Sequence, residues 1–352
     1  MEQALEQFFA GLHWALLGLM IVAALAVLGR GADWLVNEAV ALSERSGIPK
    51  VVIGATVVSV GTTTPEAAVS VLAAMRGSPG LALGNAVGSI ICDTGLILGL
   101  ACVIAPLRLN RRIVNRQGWI QFGAGVTLVA VSFPWGAPAT AFSTGGHLPQ
   151  FMGFVFLASL AAYLWRSVVW SRREPELAEL EEHTVATHEQ EPAASNPVIL
   201  AKLVAAIAVV VGSAKVLVPA VEEAARRLDV PEGIIAATLV AFGTSLPELI
   251  TAVTAARRGH GDLAVGNVVG ADILNVLFVA GAAAAVTPGG LEAGGHFFLV
   301  LFPIMLFVLA VFRLGIVFSQ QYLRRPFGFA LLAAYGFYLV VSYLLPGGLP
   351  FP

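Results

Sequence analysis

Two glutamates carry the first chemical signal. Glu66 closes the run Gly61-Thr62-Thr63-Thr64-Pro65-Glu66, and Glu248 closes Gly243-Thr244-Ser245-Leu246-Pro247-Glu248. A second block follows each: Gly84-Asn85-Ala86-Val87-Gly88-Ser89-Ile90-Ile91-Cys92-Asp93, and Gly266-Asn267-Val268-Val269-Gly270-Ala271-Asp272-Ile273-Leu274-Asn275. Matched positions (66 and 248, 85 and 267, 93 and 275) are all 182 residues apart, with no insertion or deletion between the blocks. Each glutamate stands in an otherwise apolar segment. A carboxylate is expensive in hydrocarbon and there marks an ion pathway. Pro65 and Pro247 lack an N–H, so each leaves a carbonyl about one turn upstream without its helical partner. That predicts an opening of the helix near Gly61 and Gly243, where an ion would bind at the broken backbone.

The elements that position these residues are membrane helices. The chain is 57% hydrophobic and only 12% charged, against about a quarter charged in a soluble protein. It has no basic patch for nucleic acid. No Ser/His or Asp pair at catalytic spacing accompanies the motifs, so an enzyme is not expected. Glu2 and Glu6, with no early Lys or Arg, argue against a signal peptide. Cys92 and Cys102 fall in one predicted helix, about 15 Å apart at 1.5 Å per residue, too far to bridge. Apolar runs at 13–38, 51–75, 82–106, 118–135, 149–170, 198–225, 232–256, 262–285, 295–313 and 327–345 predict ten spans.

Charges in the connections give the orientation. Arg45, Lys50, Arg108, Arg111, Arg112, Arg116, Arg172, Arg173, Arg257, Arg258, Arg324 and Arg325 fall on one side if the spans alternate. Positive residues mark the cytoplasmic side, which places both termini outside. Residues 171–197 hold Glu174, Glu176, Glu179, Glu181, Glu182, Glu189 and Glu191. They read as a solvated cytoplasmic linker; a regulatory ion site is the other reading, though the acids lack EF-hand spacing. The expected organisation is a first five-helix half over 1–170, the linker, and a second half over 198–352. The fold class is an all-α polytopic membrane protein. An odd number of spans per half inverts the second copy. Inverted repeats are a transporter architecture, with the substrate site at the midplane between the copies. A duplication kept only for packing would explain matched glycines but not matched buried glutamates.

The paired blocks resemble the α-repeats of the cation/calcium exchanger superfamily, especially prokaryotic sodium/calcium exchangers. The resemblance covers 30–105 and 212–285, with the repeats themselves at about 51–105 and 233–285. It implies a central bundle of spans two, three, seven and eight, across which long tilted spans one and six slide. It implies transported calcium and sodium rather than a bound cofactor, in the plasma membrane of a prokaryote. By this resemblance the metal ligands are the carboxylates Glu66 and Glu248 and the hydroxyls of Thr62, Thr63, Thr244, Ser245 and Ser89. The backbone carbonyls of Ser59 and Ala241 join them, and the polar pair Asp93 and Asn275 completes the centre. Calcium takes six to eight oxygens and prefers carboxylates, and two opposed glutamates would neutralise it.

The chain departs from the family pattern in two ways. The central pair is Asp93 then Asn275, the reverse of the usual order, which leaves three carboxylates at the centre. Ala271 stands where a serine is expected, so one sodium site loses a hydroxyl, which puts the usual sodium stoichiometry in doubt. The expected activity is sodium/calcium antiport, with a calcium/proton or potassium-dependent exchanger as the alternative; a channel fits inverted repeats less well. Asn85 and Asn267 read either as holding the broken backbone of the neighbouring helix or as bridging helices. Arg30 and Asp33, three apart on span one, could pair; Asp33 and Lys215, which stand at matching positions with opposite charges, read as helix-end or interface residues. Whether Asp272 faces the pathway is open at this level. His13, His147 and His296 sit near span ends.

Overall fold

The computed structural model describes residues 8–172, 196–228, 241–319 and 321–344. The expected linker and the start of span seven lie almost wholly outside the described residues. The described chain is mostly helical. In order it forms α1 (Trp14–Ser46), α2 (Lys50–Met75), α3 (Pro79–Ile104), α4 (Arg111–Ser132) and α5 (Gln150–Arg172). Then come α6 (Asn196–Arg227), α7 (Leu246–Arg257), α8 (Gly261–Val286), α9 (Phe297–Phe318) and α10 (Arg325–Leu344). Among the described residues eight helices are long and apolar enough to cross a membrane. The two others are α4, made polar by Arg111, Arg112, Arg116, Gln117 and Gln121, and the short described part of α7.

Local sequence sets the helix ends. The His13 ring accepts from the Ala15 N–H at 3.3 Å and caps α1, while Gly47, at φ 66°, ends it in the left-handed region. Matched glycines Gly77 (φ 84°) and Gly259 (φ 79°) turn the chain into α3 and α8. α3 and α8 also begin and end 182 residues apart, as 79 does from 261 and 104 from 286. Both widen into a π-helical turn at the same place, Cys92–Leu98 in α3 and Asn275–Ala280 in α8. α1 has 33 residues and is about 50 Å long, well over the about 30 Å of a bilayer core.

α2, α3, α7 and α8 pack on one another, and α8 lies deepest, with every residue from Gly261 to Leu274 buried. α1 runs along α6, where Gly31 meets Val209 and Val210. α3 leans on α10, α8 on α5, and α4 on α9. Two short antiparallel ribbons cross-link distant parts of the chain. β1 (Leu107–Arg108) pairs with β4 (Tyr322–Leu323), and β2 (Gly146–Leu148) with β3 (Leu291–Ala293).

Two expectations need correction. α2 does not open at Gly61: it is regular from Ser59 to Met75, with Pro65 inside it, and its π-helical turn lies earlier, at Gly54–Val58. Hydroxyls stand in for the backbone near the proline, since Thr64 donates to the Val60 carbonyl and Thr62 to that of Val58. The second copy does break: Ser245 interrupts the helix between Ala241–Thr244 and α7, two residues before Pro247. Nor do Arg30 and Asp33 pair. Asp33 instead meets Arg258 at 2.7 Å, so α1 is tied to the end of α7. Cys92 and Cys102 are free and buried, as their spacing requires.

Backbone contact between α2 and α8 fixes the bundle. A Cβ on Gly266 would sit 2.2 Å from the Val51 carbonyl oxygen, and one on Gly270 2.4 Å from the Ala55 Cα. A Cβ on Gly54 would sit 2.7 Å from the Leu263 carbonyl oxygen. Small residues let membrane helices approach this closely. Gly266→Ala should therefore destabilise the protein by about 1–3 kcal/mol through overpacking. Gly29→Ala, where a Cβ meets nothing within 4 Å, should be neutral. Melting curves of the two purified variants in detergent check this; equal curves would mean the α2–α8 contact can relax.

Candidate functional site

The site forms where the two repeated blocks meet. Glu66 lies in α2 and Glu248 at the first turn of α7, and both are fully buried. Each takes a hydroxyl from the other copy's motif. Thr63 donates to Glu248 Oε1 at 3.2 Å, and Ser245 donates to Glu66 Oε1 at 3.2 Å. The exchange is reciprocal, since 63 matches 245 and 66 matches 248 in the repeat. Asp93, at the start of the α3 π-turn, is fully buried beside them. Asn275, at the matching point of α8, donates to Asp93 Oδ2 at 3.3 Å.

Six of the sequence-derived candidates are thereby joined: Glu66, Ser245, Thr63, Glu248, Asp93 and Asn275. Thr62 is buried beside them, its hydroxyl 3.4 Å from the Ser59 carbonyl oxygen. The Ser59 hydroxyl donates to the Gly54 and Asn267 carbonyls at 2.7 and 2.8 Å, stitching α2 to α8. Ser89 is buried on α3 and Thr244 half-buried at the end of the turn that Ala241 begins. Neither hydroxyl bonds to the acids.

Asp272 proves to be part of this polar core. Its Oδ2 accepts from the Thr94 hydroxyl and from the Gln121 amide of α4, and Gln121 also reaches Thr94 at 3.2 Å. Thr94 and Gln121 were not legible as site residues from the repeat motif. Their signal was elsewhere: Gln121 lies inside the predicted span 118–135 and Gln117 one turn before it at its edge, an unusual density of amides beside hydrocarbon.

All four carboxylates share one pattern. One oxygen is held by a neutral hydroxyl or amide, and the other (Glu66 Oε2, Glu248 Oε2, Asp93 Oδ1, Asp272 Oδ1) is buried and has no partner. Burying carboxylate charge on neutral donors alone is costly. Such a site suits cations that arrive and leave. Among the described residues no three Asp, Glu, His or Cys side chains are grouped closely enough to hold a metal by themselves. Hydroxyl and carbonyl oxygens would have to complete a coordination shell.

Two asparagines play unequal parts. Asn85 donates to the Ser70 hydroxyl at 2.9 Å and to the Glu66 carbonyl at 3.4 Å, so it holds the backbone of α2 at the site. Asn267 has both side-chain polar atoms buried without partners, because Ala252 stands where Ser70 does in the first copy.

The chain matches the family model described as "Sodium/calcium exchanger protein" over residues 16–169 and 198–344. It is 27% identical over 348 residues to sodium/calcium exchanger MaX1 of Methanosarcina acetivorans, covering 93% of this chain and 98% of that protein. It is 32% identical to the inner membrane protein YrbG of Escherichia coli, covering 78% of this chain and 81% of that one. Among solved structures, the sodium-calcium exchanger NCX_Mj soaked with sodium and strontium superposes with a TM-score of 0.75 at 25% identity. That match covers 95% of this chain and all of the other.

The contrast between Asn85 and Asn267 can be measured. Ser70→Ala should leave Asn85 short of a partner and cost about 1–2 kcal/mol in thermal unfolding. A double-mutant cycle with Asn85→Ala should give a coupling of about 0.5–1.5 kcal/mol. Additive losses would mean that the Asn85–Ser70 bond contributes nothing of its own.

Proposed function

Because the chain belongs to the sodium/calcium exchanger protein family, we propose that it is a secondary antiporter in which a sodium gradient drives calcium across the membrane. The observation that carries this reading is the crossed pair of hydrogen bonds, Thr63 to Glu248 and Ser245 to Glu66. It puts both glutamates at one locus with an unpartnered oxygen each. Two carboxylates match the charge of calcium, and the surrounding hydroxyls serve sodium as well. The ligand set follows as Glu66, Glu248, Thr62, Thr63, Thr244, Ser245, Ser89, Asp93 and Asn275, with the Ser59 and Ala241 carbonyls.

The ten helices then form two inverted halves of five. The lysine and arginine bias supports both termini outside and the 171–197 linker in the cytoplasm of a prokaryote. Alternating access would come from α1 and α6, which pack along each other beside the bundle. Ala271, at the position matching Ser89, offers no oxygen and keeps a calcium/proton or potassium-dependent exchanger as the second reading. Calcium uptake into proteoliposomes under sodium, potassium or proton gradients, imposed singly, separates the three. Uptake driven equally well by a proton gradient alone would overturn sodium coupling.

Glu66→Gln and Glu248→Gln should each abolish calcium exchange in protein that still purifies as a folded monodisperse species. Normal flux in either would remove that glutamate from the ligand set. Ala271→Ser should raise the sodium cooperativity of calcium efflux by restoring a hydroxyl. An unchanged Hill slope, with three sodium ions already coupled in the parent, would refute the lost-ligand reading. Asp93 exceeds what calcium needs, since calcium brings two positive charges to three central carboxylates. Asp93→Asn should therefore retain calcium binding within about tenfold, where Glu66→Gln loses it. Equal losses in a calcium titration would make Asp93 a direct calcium ligand.

A further inference from the structure

The polar core holds more negative charge than the Glu66 and Glu248 pair explains. Asp272 is tied across the α3–α8 contact to Thr94, the residue that follows Asp93. On each, one oxygen is tied down by neutral donors: Asn275 on Asp93, Thr94 and Gln121 on Asp272. On each, the second oxygen is buried and bare. Gln121, 2% exposed, comes from a different helix, bonds to the same carboxylate and carries a buried oxygen of its own without a partner. Amide ends exchange by a simple rotation, so Gln121 can offer that oxygen instead of its N–H. Thr94 adds a hydroxyl that reaches both Asp272 and Gln121.

We propose that Asp93 and Asp272, with Thr94 and Gln121, bind a sodium ion of their own beside the Glu66/Glu248 pair. A calcium ion on the glutamates leaves both aspartate carboxylates without a cation of their own. Among the described residues, no hydrogen bond or ion pair of either aspartate involves a lysine or arginine. A monovalent cation held by the two bare oxygens would let both carboxylates ionise in a buried site. The donor set (two carboxylates, a hydroxyl and an amide oxygen) consists wholly of hard oxygens, which suits an alkali cation. The site also accounts for the polar α4, whose Gln121 is otherwise an expensive side chain to bury. It relocates one sodium site to the residue next to Ala271, where a hydroxyl is missing.

This proposal rests on the antiporter reading, and one experiment separates the two. Equilibrium binding of radiolabelled sodium to the purified full chain in detergent is measured with and without saturating calcium. In the parent, calcium should displace part of the sodium and leave a calcium-insensitive component. Asp272→Asn and, separately, Gln121→Leu should weaken that component at least about tenfold, with calcium affinity changed by no more than about threefold. If Asp272→Asn does not fold, Gln121→Leu and the parent measurement still decide the matter. Complete displacement of sodium by calcium in the parent would overturn the proposal, as would a calcium-insensitive component that survives both substitutions. Sodium-driven calcium flux in proteoliposomes is followed alongside. Intact flux without the residual sodium refutes only this site, whereas residual sodium that the substitutions remove supports it whatever the flux.

Discussion

Four buried carboxylates with no basic partner among the described residues are what the structure must accommodate. In an apolar bundle each would normally be neutralised by a lysine or arginine, and here every partner is a hydroxyl or an amide. Neutral donors orient a carboxylate without satisfying its charge. On the proposed reading the protein thus keeps a standing demand for cations at its centre. A fixed internal counter-ion would remove that demand and with it any reason for ions to enter. Much of the surrounding chemistry serves the same end: the crossed hydroxyls, the Asn85 brace on the Glu66 backbone, and the polar face of α4.

Holding those groups together requires helices that touch through their backbones. Gly54, Gly266 and Gly270 allow α2 and α8 to meet with no side chain between them, and the Ser59 hydroxyl closes the seam onto the Asn267 carbonyl. Close approach delivers Glu66 to Ser245 and Glu248 to Thr63. The π-helical turns in α2, α3 and α8 belong to the same geometry. Each rotates the following side chains relative to a regular helix, and those in α3 and α8 begin at or next to Asp93 and Asn275. Such turns recur at functional sites in helices.

The sequence made the paired glutamates readable because the signal is doubled, while the central bundle was legible only through the family resemblance that the doubled blocks carry. The constant offset marked 63, 66, 245 and 248 as one repeated set, but that 63 meets 248 and 66 meets 245 emerged only from the structure. It failed where the copies differ. Pro65 and Pro247 look equivalent, yet α2 stays helical through its proline while the second copy breaks at Ser245. Threonine hydroxyls at 62 and 64 cover carbonyls around Pro65; at the matching positions stand Thr244 and Leu246, and Leu246 has no hydroxyl. Asp272 was visible but could not be placed, because its partners come from α4 and from the residue after Asp93, outside any motif. Asp33 reads from sequence as a helix-end or interface residue that could pair with Arg30, but its actual partner, Arg258, is distant in the chain and near in space.

The two small ribbons show how the chain is held together. β1, from the early part, is completed by β4 near the end, and β3, from the late part, is completed by β2 from the early one. The helices follow the same exchange, with α3 against α10 and α8 against α5. Neither half is therefore a self-sufficient folding unit: each is finished with pieces of the other. During synthesis the end of α3 must wait for residues beyond 320 before its last neighbours exist, so the assembly step comes late and is dominated by long-range contacts. Once it is complete, the peptide bonds between α5 and α6 are no longer what joins the halves. Severing them would leave two fragments still clasped by ribbons and helices that each borrows from the other.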